Sequence, residues 1–397
     1  MKSLRLQSFR LKNFKAVRDS GIIEFTPLTI FIGNNGSGKS SIIEGIKTFQ
    51  DVSGHDLEEV MQGWHGYENI WHKGVPHKLI PQKKNGSARE HFSEPMIFEL
   101  TGRYTYGPYS AKMEISLGRE GKELFISKEE VSVGKSFKLI RDAFGHVKVT
   151  GRTPSEFGRI KLQNDIHIGD GVSIIGDIPY LDKITSDWQF LYLDPVAMGE
   201  PAPQYRTGGK VDLLEDGANI AEYLKDIRDS DQSAFQGIVE TLQYVLPYVQ
   251  DLQPKLISAL DRNFILQVTE SDFEVAGWLL STGTLRFLGI LALLRHPKPP
   301  SLILVEELEN GLDPRTLNLV IDEIRNALEA GKTQIIATTH SPYLLDLLHL
   351  SQIVLVERLD GQPTFIRPDE EYLQEWSKKF SPGQLYTMDI LSRKNNS

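Results

Sequence analysis

Gly33-Asn34-Asn35-Gly36-Ser37-Gly38-Lys39-Ser40 reads G-x-x-x-x-G-K-[ST], a complete phosphate-binding loop. An apolar run, Leu28-Thr29-Ile30-Phe31-Ile32, precedes it, and a helical stretch from Ser41 to Ile46 follows. This strand–loop–helix context is what the motif requires. The glycines let the backbone curl so that its N–H groups form a cradle for phosphate, and the helix N-terminus adds partial positive charge there. Lys39 is placed to reach the β- and γ-phosphates, and the Ser40 hydroxyl to ligate Mg²⁺. With glycine near 7% of average usage, a chance match in a chain of this length is roughly a one-in-a-hundred event. The stretch from Gly33 through Ser41 therefore implies a bound nucleoside triphosphate, ATP, with Mg²⁺.

Further along, Leu302-Ile303-Leu304-Val305-Glu306-Glu307 is an apolar strand ending in two carboxylates. Strand ends of this kind form the ligand edge of a parallel sheet. Glu306 is placed to associate with Mg²⁺, and its length favours contact through water. Glu307 is placed as general base for an attacking water. A second buried-type strand, Ile335-Ile336-Ala337-Thr338-Thr339, ends in His340, the position expected of a γ-phosphate sensor. Between loop and acids lies Leu280-Ser281-Thr282-Gly283-Thr284, small residues opening an apolar helix, which is either an ordinary N-cap or a second anion-binding helix end.

The final third alternates strands (301–305, 334–338, 352–356) with helices (284–294, 315–330), the pattern of a parallel sheet with crossovers. Residues 96–150 alternate in strand fashion and predict an attached antiparallel sheet, whereas 217–250 read as helices. The expected organisation is an ATP-binding lobe over 1–195, a helical lobe over 196–300, and the acids with His340 in 301–397. The fold class is α/β, a P-loop NTPase with a mixed or parallel core sheet, an antiparallel β-subdomain and a helical lobe.

Composition narrows the function classes. The 397 residues carry a net charge of −9, 24% charged and 40% hydrophobic residues, and no cysteine. Disulfides and thiolate metal sites are excluded. The charged N-terminus lacks a signal core, and no apolar run is long enough to span a bilayer, so a cytoplasmic protein with no membrane partner is expected. Lys12, Lys15, Arg10 and Arg18 precede or flank Asp19, the first acid, giving either a phosphate-backbone contact surface or one solvated strand face. His65, His72, His77 and His91 match no common zinc spacing.

The order of these motifs resembles the ABC-type ATPase heads of the RecF, SMC and OLD group. Leu280–Thr284 is similar to the Leu-Ser-Gly-Gly-Gln signature, retaining Leu280, Ser281 and Gly283. Glu309-Asn310-Gly311-Leu312-Asp313-Pro314 resembles the D-loop, and His340 the switch histidine. Leu11-Lys12-Asn13-Phe14-Lys15 and the run from Glu215 to Ile220 also look like this group. Thr282, Thr284 and Glu306 depart from the group's usual Gly, Gln and Asp, and no Q-loop glutamine is evident near Asp194. The resemblance implies an ATP-sandwich homodimer in which Ser281, Gly283 and Asp313 serve the nucleotide held by the other subunit. It further implies an ATPase switch in DNA maintenance or anti-phage defence, controlling a separate effector nuclease, because the 57 residues after His340 leave little room for a TOPRIM domain. The alternatives are a RecF-like clamp that binds duplex DNA itself and, less favoured, an ABC transporter subunit. The acids Glu357 and Asp360 either mimic a nuclease motif or flank the turn after a last strand, and the second reading is preferred.

Overall fold

The computed structural model describes residues 5–76, 78–84, 87–104, 107–118, 123–151, 166–177, 181–204, 211–257 and 262–391. They group into two units. One comprises the described residues within Met1–Trp188, Leu350–Lys379 and Met388–Ser397; the other comprises the described residues within Gln189–His349 and Phe380–Thr387. The chain thus returns to its first unit after completing most of the second, a relation that a linear reading of composition does not reveal.

The first unit contains a nine-stranded antiparallel sheet. Its order runs from Ile166–His167 through His146–Thr150, Phe137–Arg141, Leu124–Val133, Gly107–Leu117 and Met96–Tyr104 to Arg5–Phe14 and Val17–Asp19, with Ile23–Glu24 also paired to Arg5–Phe14. Alternation along Arg5–Phe14 buries Leu6, then Phe9 and Leu11. The odd spacing from Leu6 to Phe9 is accommodated by a register shift between Leu6 and Ser8, a bulge that returns the apolar residues to the inner face. Against that face packs the helix Lys39–Gly54, where a Cβ on Gly45 would come within 2.7 Å of Leu11, so a bare backbone is needed for this approach. Phe98 joins Phe14 and Phe49 at ring separations of 5.9 and 6.3 Å.

The outer face carries cross-strand charges. Arg10 and Lys12 both pair with Asp19, at 2.8 and 3.0 Å, and Lys112 bridges Glu99 and Glu114. The basic N-terminal strand therefore reads as a solvated face with its own counter-charges. Two ionisable side chains of this unit are fully buried. Arg141 donates to the carbonyls of Ile126, Gly169 and Asp170, while Glu129 accepts from the Ser173 hydroxyl at 2.6 Å and the Ile174 N–H at 2.8 Å. Burial pushes the Glu129 carboxyl up from its ordinary value against the pull of these bonds.

Also within the first unit, Leu28–Ile32 is buried at every position and runs parallel to Ile353–Leu359, which turns back through Gln362–Ile366. The turn residues Asp360 and Gly361 both have positive φ, 49° and 77°, as a two-residue hairpin turn of the primed type demands. Asp360 is a turn residue, as preferred from the sequence.

In the second unit, Leu302–Val305 pairs in parallel with Ile335–Thr339, and helices Thr282–Arg295 and Pro314–Glu329 accompany them. The expected helices at 217–250 are Ile220–Ser230 and Gln232–Val245. The lobe expected to be helical also holds a small antiparallel sheet of Ala202–Pro203, Asn263–Glu270, Val249–Leu256 and Phe273–Ala276. Pro254 lies in Val249–Leu256, an edge strand, where a missing N–H is tolerated.

Candidate functional site

The candidate residues fall in two groups, one per unit. In the first unit the loop leaves the buried strand at Gly33 and enters the helix at Lys39, with Gly38 as N-cap at φ 112°. Gly36, at φ 71°, forms the tip, and the Ser37 N–H donates to the Asn34 carbonyl at 3.1 Å. Only glycine adopts these two conformations without strain. The Lys39 ammonium is buried inside the loop, 2.7 Å from the Gly33 carbonyl and 3.1 Å from that of Asn34. These carbonyls hold the cation inside the curl that a phosphate would enter. Ser37 is buried with its hydroxyl making no hydrogen bond among the described residues, whereas Asn34, Asn35, Gly36 and Ser40 are exposed. A buried cation, an orphaned hydroxyl and a glycine-walled loop at a helix N-terminus are the chemistry that a triphosphate needs, so the residues fit the ligand.

The C-terminal hairpin covers this loop, a neighbour that sequence reasoning did not supply. A Cβ on Gly33 would stand 2.1 Å from the Val356 carbonyl, and one on Gly38 would stand 2.8 Å from the Pro363 ring. Arg358 donates from Nε to the Gly36 carbonyl at 2.9 Å.

In the second unit the two acids leave the end of Leu302–Val305. Glu306 is half-buried and Glu307 exposed. Glu307 has φ 49°, a left-handed conformation uncommon for a side chain of this size. Its N–H donates to the Thr338 hydroxyl at 2.9 Å, and the Leu308 N–H donates to the Thr338 carbonyl at 3.1 Å. The turn is thus tied to the end of the neighbouring parallel strand. One Glu307 oxygen accepts from Asn310 at 3.3 Å, and the other is 3.9 Å from His340 Nε2. The His340 N–H donates to Glu309 at 2.7 Å. The adjacent strand ends bring Glu307 and His340 together as their positions in the sequence implied. Thr338, together with Glu309 and Asn310 of the D-loop-like segment, supplies the hydrogen bonds that hold the pair in place.

The signature-like segment and the D-loop-like segment also meet. Ser281 caps the helix Thr282–Arg295, its hydroxyl accepting the Thr284 N–H at 3.0 Å. A Cβ on Gly283 would stand 2.3 Å from the Gly311 carbonyl, so this glycine is the contact surface between the two segments. Both segments line a cavity of about 300 Å³, together with Leu242, Val245 and Phe287. Asp313 caps the helix Pro314–Glu329, and the Thr316 hydroxyl together with the backbone N–H groups holds its carboxyl below the usual range. Ser281 and Asp313 therefore have complete local structural roles besides any contact with nucleotide.

The remaining sequence candidates have structural uses. Asn219 is buried, accepting from the Leu214 N–H and donating to the Asp212 carbonyl ahead of the helix Ile220–Ser230. Asp194 caps the helix Pro195–Gly199. Among the described residues no group of three or more His, Cys, Asp and Glu could hold a metal; His77 and the His91 side chain lie outside the described residues. No described helix is long and apolar enough to cross a membrane.

The family described as "AAA domain, putative AbiEii toxin, Type IV TA system" matches residues 28–346. No curated protein matches the chain. Among solved structures, an SmcHead bound to the C-winged helix domain of ScpA aligns at TM-score 0.57 and 14% identity, covering 94% of this chain and 99% of the other. An Smc head domain with an extended coiled coil, bound to the C-terminal domain of ScpA derived from Pyrococcus furiosus, aligns at TM-score 0.54 and 13% identity, covering 95% and 99%. At such identities the likeness is one of fold: a P-loop NTPase head of the ABC type.

Proposed function

We infer the function from one premise: the chain belongs to the AAA domain family described as putative AbiEii toxin, Type IV TA system, whose match spans most of its length. On that premise it is an ATPase switch. Its phosphate loop, Gly33–Ser41, takes the triphosphate; Ser40 and Glu306 are the residues that would hold Mg²⁺, which would supply charge neutralisation. Glu307 accepts a proton from the attacking water, and His340, 3.9 Å from it, senses the transferred phosphate. The single observation that carries hydrolysis is the Glu307 turn, tied by Thr338 and faced by His340 at adjacent strand ends.

Two copies close on two ATP molecules, with Ser281, Gly283 and Asp313 of each facing the other's phosphate loop, and hydrolysis reopens the pair. The switch is of the RecF, SMC and OLD type and controls a separate effector, a nuclease, in DNA maintenance or anti-phage defence. The pairing of Arg10 and Lys12 with Asp19 favours this over a clamp that grips duplex DNA through its N-terminal strands. The test is light scattering with and without ATP on the parent and on Glu307→Gln. A dimer that accumulates with ATP in Glu307→Gln and turns over in the parent is expected. A monomer under both conditions, with nucleotide shown to be bound, would rule out the sandwich.

A further inference from the structure

We propose that Arg358 is a positioning residue for nucleotide binding, acting from the C-terminal hairpin on the peptide plane at the tip of the phosphate loop. The inference rests on the ATP-binding reading above and adds a residue far from any motif. Arg358 Nε donates to the Gly36 carbonyl at 2.9 Å, and Nη1 donates to the Gly361 carbonyl at 3.4 Å. The guanidinium is thus held between the hairpin's own turn and the loop tip.

The contact is part of a larger surface. Val356 and Arg358 are two residues apart on the strand Ile353–Leu359. Val356 approaches Gly33 through its carbonyl, and Arg358 bonds to Gly36. Pro363, the cross-strand partner of Arg358, packs against Gly38. Each of the three loop glycines therefore faces the hairpin, and only at Gly36 is the contact a hydrogen bond from a charged side chain.

The direction of that bond matters. In a trans peptide the C=O and N–H point in opposite directions. Drawing the Gly36 carbonyl out toward Arg358 turns the Ser37 N–H into the loop, where it donates to the Asn34 carbonyl at 3.1 Å. An inward N–H at this position is one of the donors a phosphate oxygen would use. Gly36, at φ 71°, is the residue whose peptide is freest to turn away without this anchor.

The test titrates ADP and a non-hydrolysable ATP analogue into the parent, Lys39→Ala, and Arg358→Ala, →Gln and →Lys, with melting and steady-state ATPase measured on each. In Gln the side-chain amide nitrogen occupies the place of Arg Nε, so the bond to Gly36 survives without charge; Lys keeps the charge but has a methylene there. Arg358→Ala should raise Kd for both nucleotides about five- to tenfold. KM should rise alike, with kcat within about twofold and melting almost unchanged. Arg358→Gln should recover most of the affinity and Arg358→Lys little. Unchanged affinity in Arg358→Ala, with parent binding that depends on Lys39, overturns this inference alone. So does rescue by Lys and not Gln, which would make the charge itself the ligand contact, or a loss that tracks melting and is rescued by neither. A parent that binds no nucleotide overturns the ATP reading as well.

Discussion

Glu307 combines an expected catalytic role with a strained backbone, so replacing it with glycine should inactivate the protein without destabilising it. A non-glycine residue in the left-handed region costs about 1–2 kcal/mol, and the φ of 49° at Glu307 lies there. Glycine removes that strain but loses about 0.5–1 kcal/mol to the greater freedom of the unfolded chain. The contacts given up are weak: a 3.3 Å hydrogen bond from Asn310 and a 3.9 Å approach to His340, on a side chain 50% exposed. The balance for Glu307→Gly is about 0 to +1 kcal/mol of added stability, or a melting point raised by at most about 3 °C. Glu307→Ala loses the same contacts and keeps the strain, so it should melt below Glu307→Gly, by up to about 4 °C. Both variants should lose about 10²–10⁴-fold in ATPase rate through loss of the general base. Calorimetric melts alongside phosphate release would read both effects. A glycine variant that melts well below the parent, or below the alanine variant, would refute the strain argument. Retained turnover would refute the role of Glu307 as base.

Lys39→Ala should abolish ATP binding in a calorimetric titration, because the buried cation inside the loop is removed; unchanged affinity would end the phosphate-loop assignment. The trans role of the signature is best tested by mixing Lys39→Ala with Ser281→Asp, each inactive alone, and measuring recovered ATPase. Gly283 is unsuitable, since any side chain there strikes the Gly311 carbonyl, whereas Asp at 281 keeps the helix cap. No recovery in verified mixed dimers would argue against shared sites. For stability against pH, hydrogen bonds from Lys128 and then Lys138 hold the Glu130 carboxyl at about 2, below its ordinary 4.5. A depressed folded value means the contribution is complete above about 4.5 and is lost as pH falls toward about 2. Glu130→Gln should flatten the melting curve over that window only, and an unchanged acid limb would show the pairs to be inert.

What could be read from the sequence is what the chain writes contiguously. The phosphate loop needs eight neighbouring residues, and the two acids announce themselves at the end of an apolar strand, so both were found with their secondary structure. The supports of those residues are distant in sequence. The Thr338 hydroxyl that anchors Glu307 comes from 31 residues later, and Arg358 reaches Gly36 across 322. Neither the positive φ of Glu307 nor the Gly283–Gly311 contact has a compositional signal, because each follows from how close two backbones come. The antiparallel sheet around Asn263–Glu270 was overlooked for a different reason: it follows two strong helices, and one of its strands carries Pro254, which only an edge position excuses.

The N-terminal basic residues show why a count of charges is a weak guide to partners. Read in order, five cations precede the first acid beyond Lys2, which leaves a phosphate-binding face open beside the preferred reading of a solvated strand face. In the fold, Asp19 serves both Arg10 and Lys12, Glu99 lies 3.9 Å from Arg10, and Glu44 pairs with Lys15 at 2.7 Å. Lys15 also lies 4.0 Å from the centre of the Trp64 ring. These three cations already have partners, so a nucleic acid would have to displace carboxylates, and the counterion release that drives phosphate binding would be small. The Lys15–Glu44 pair has a further consequence. Glu44 stands on the helix that begins at Lys39, and Lys15 is held at φ 49° in a turn pinned by the His72 ring, which lies 2.8 Å from the Lys15 carbonyl. A cation used in this way fastens the antiparallel sheet to the phosphate-loop helix, and its charge is spent on keeping the nucleotide cradle in place.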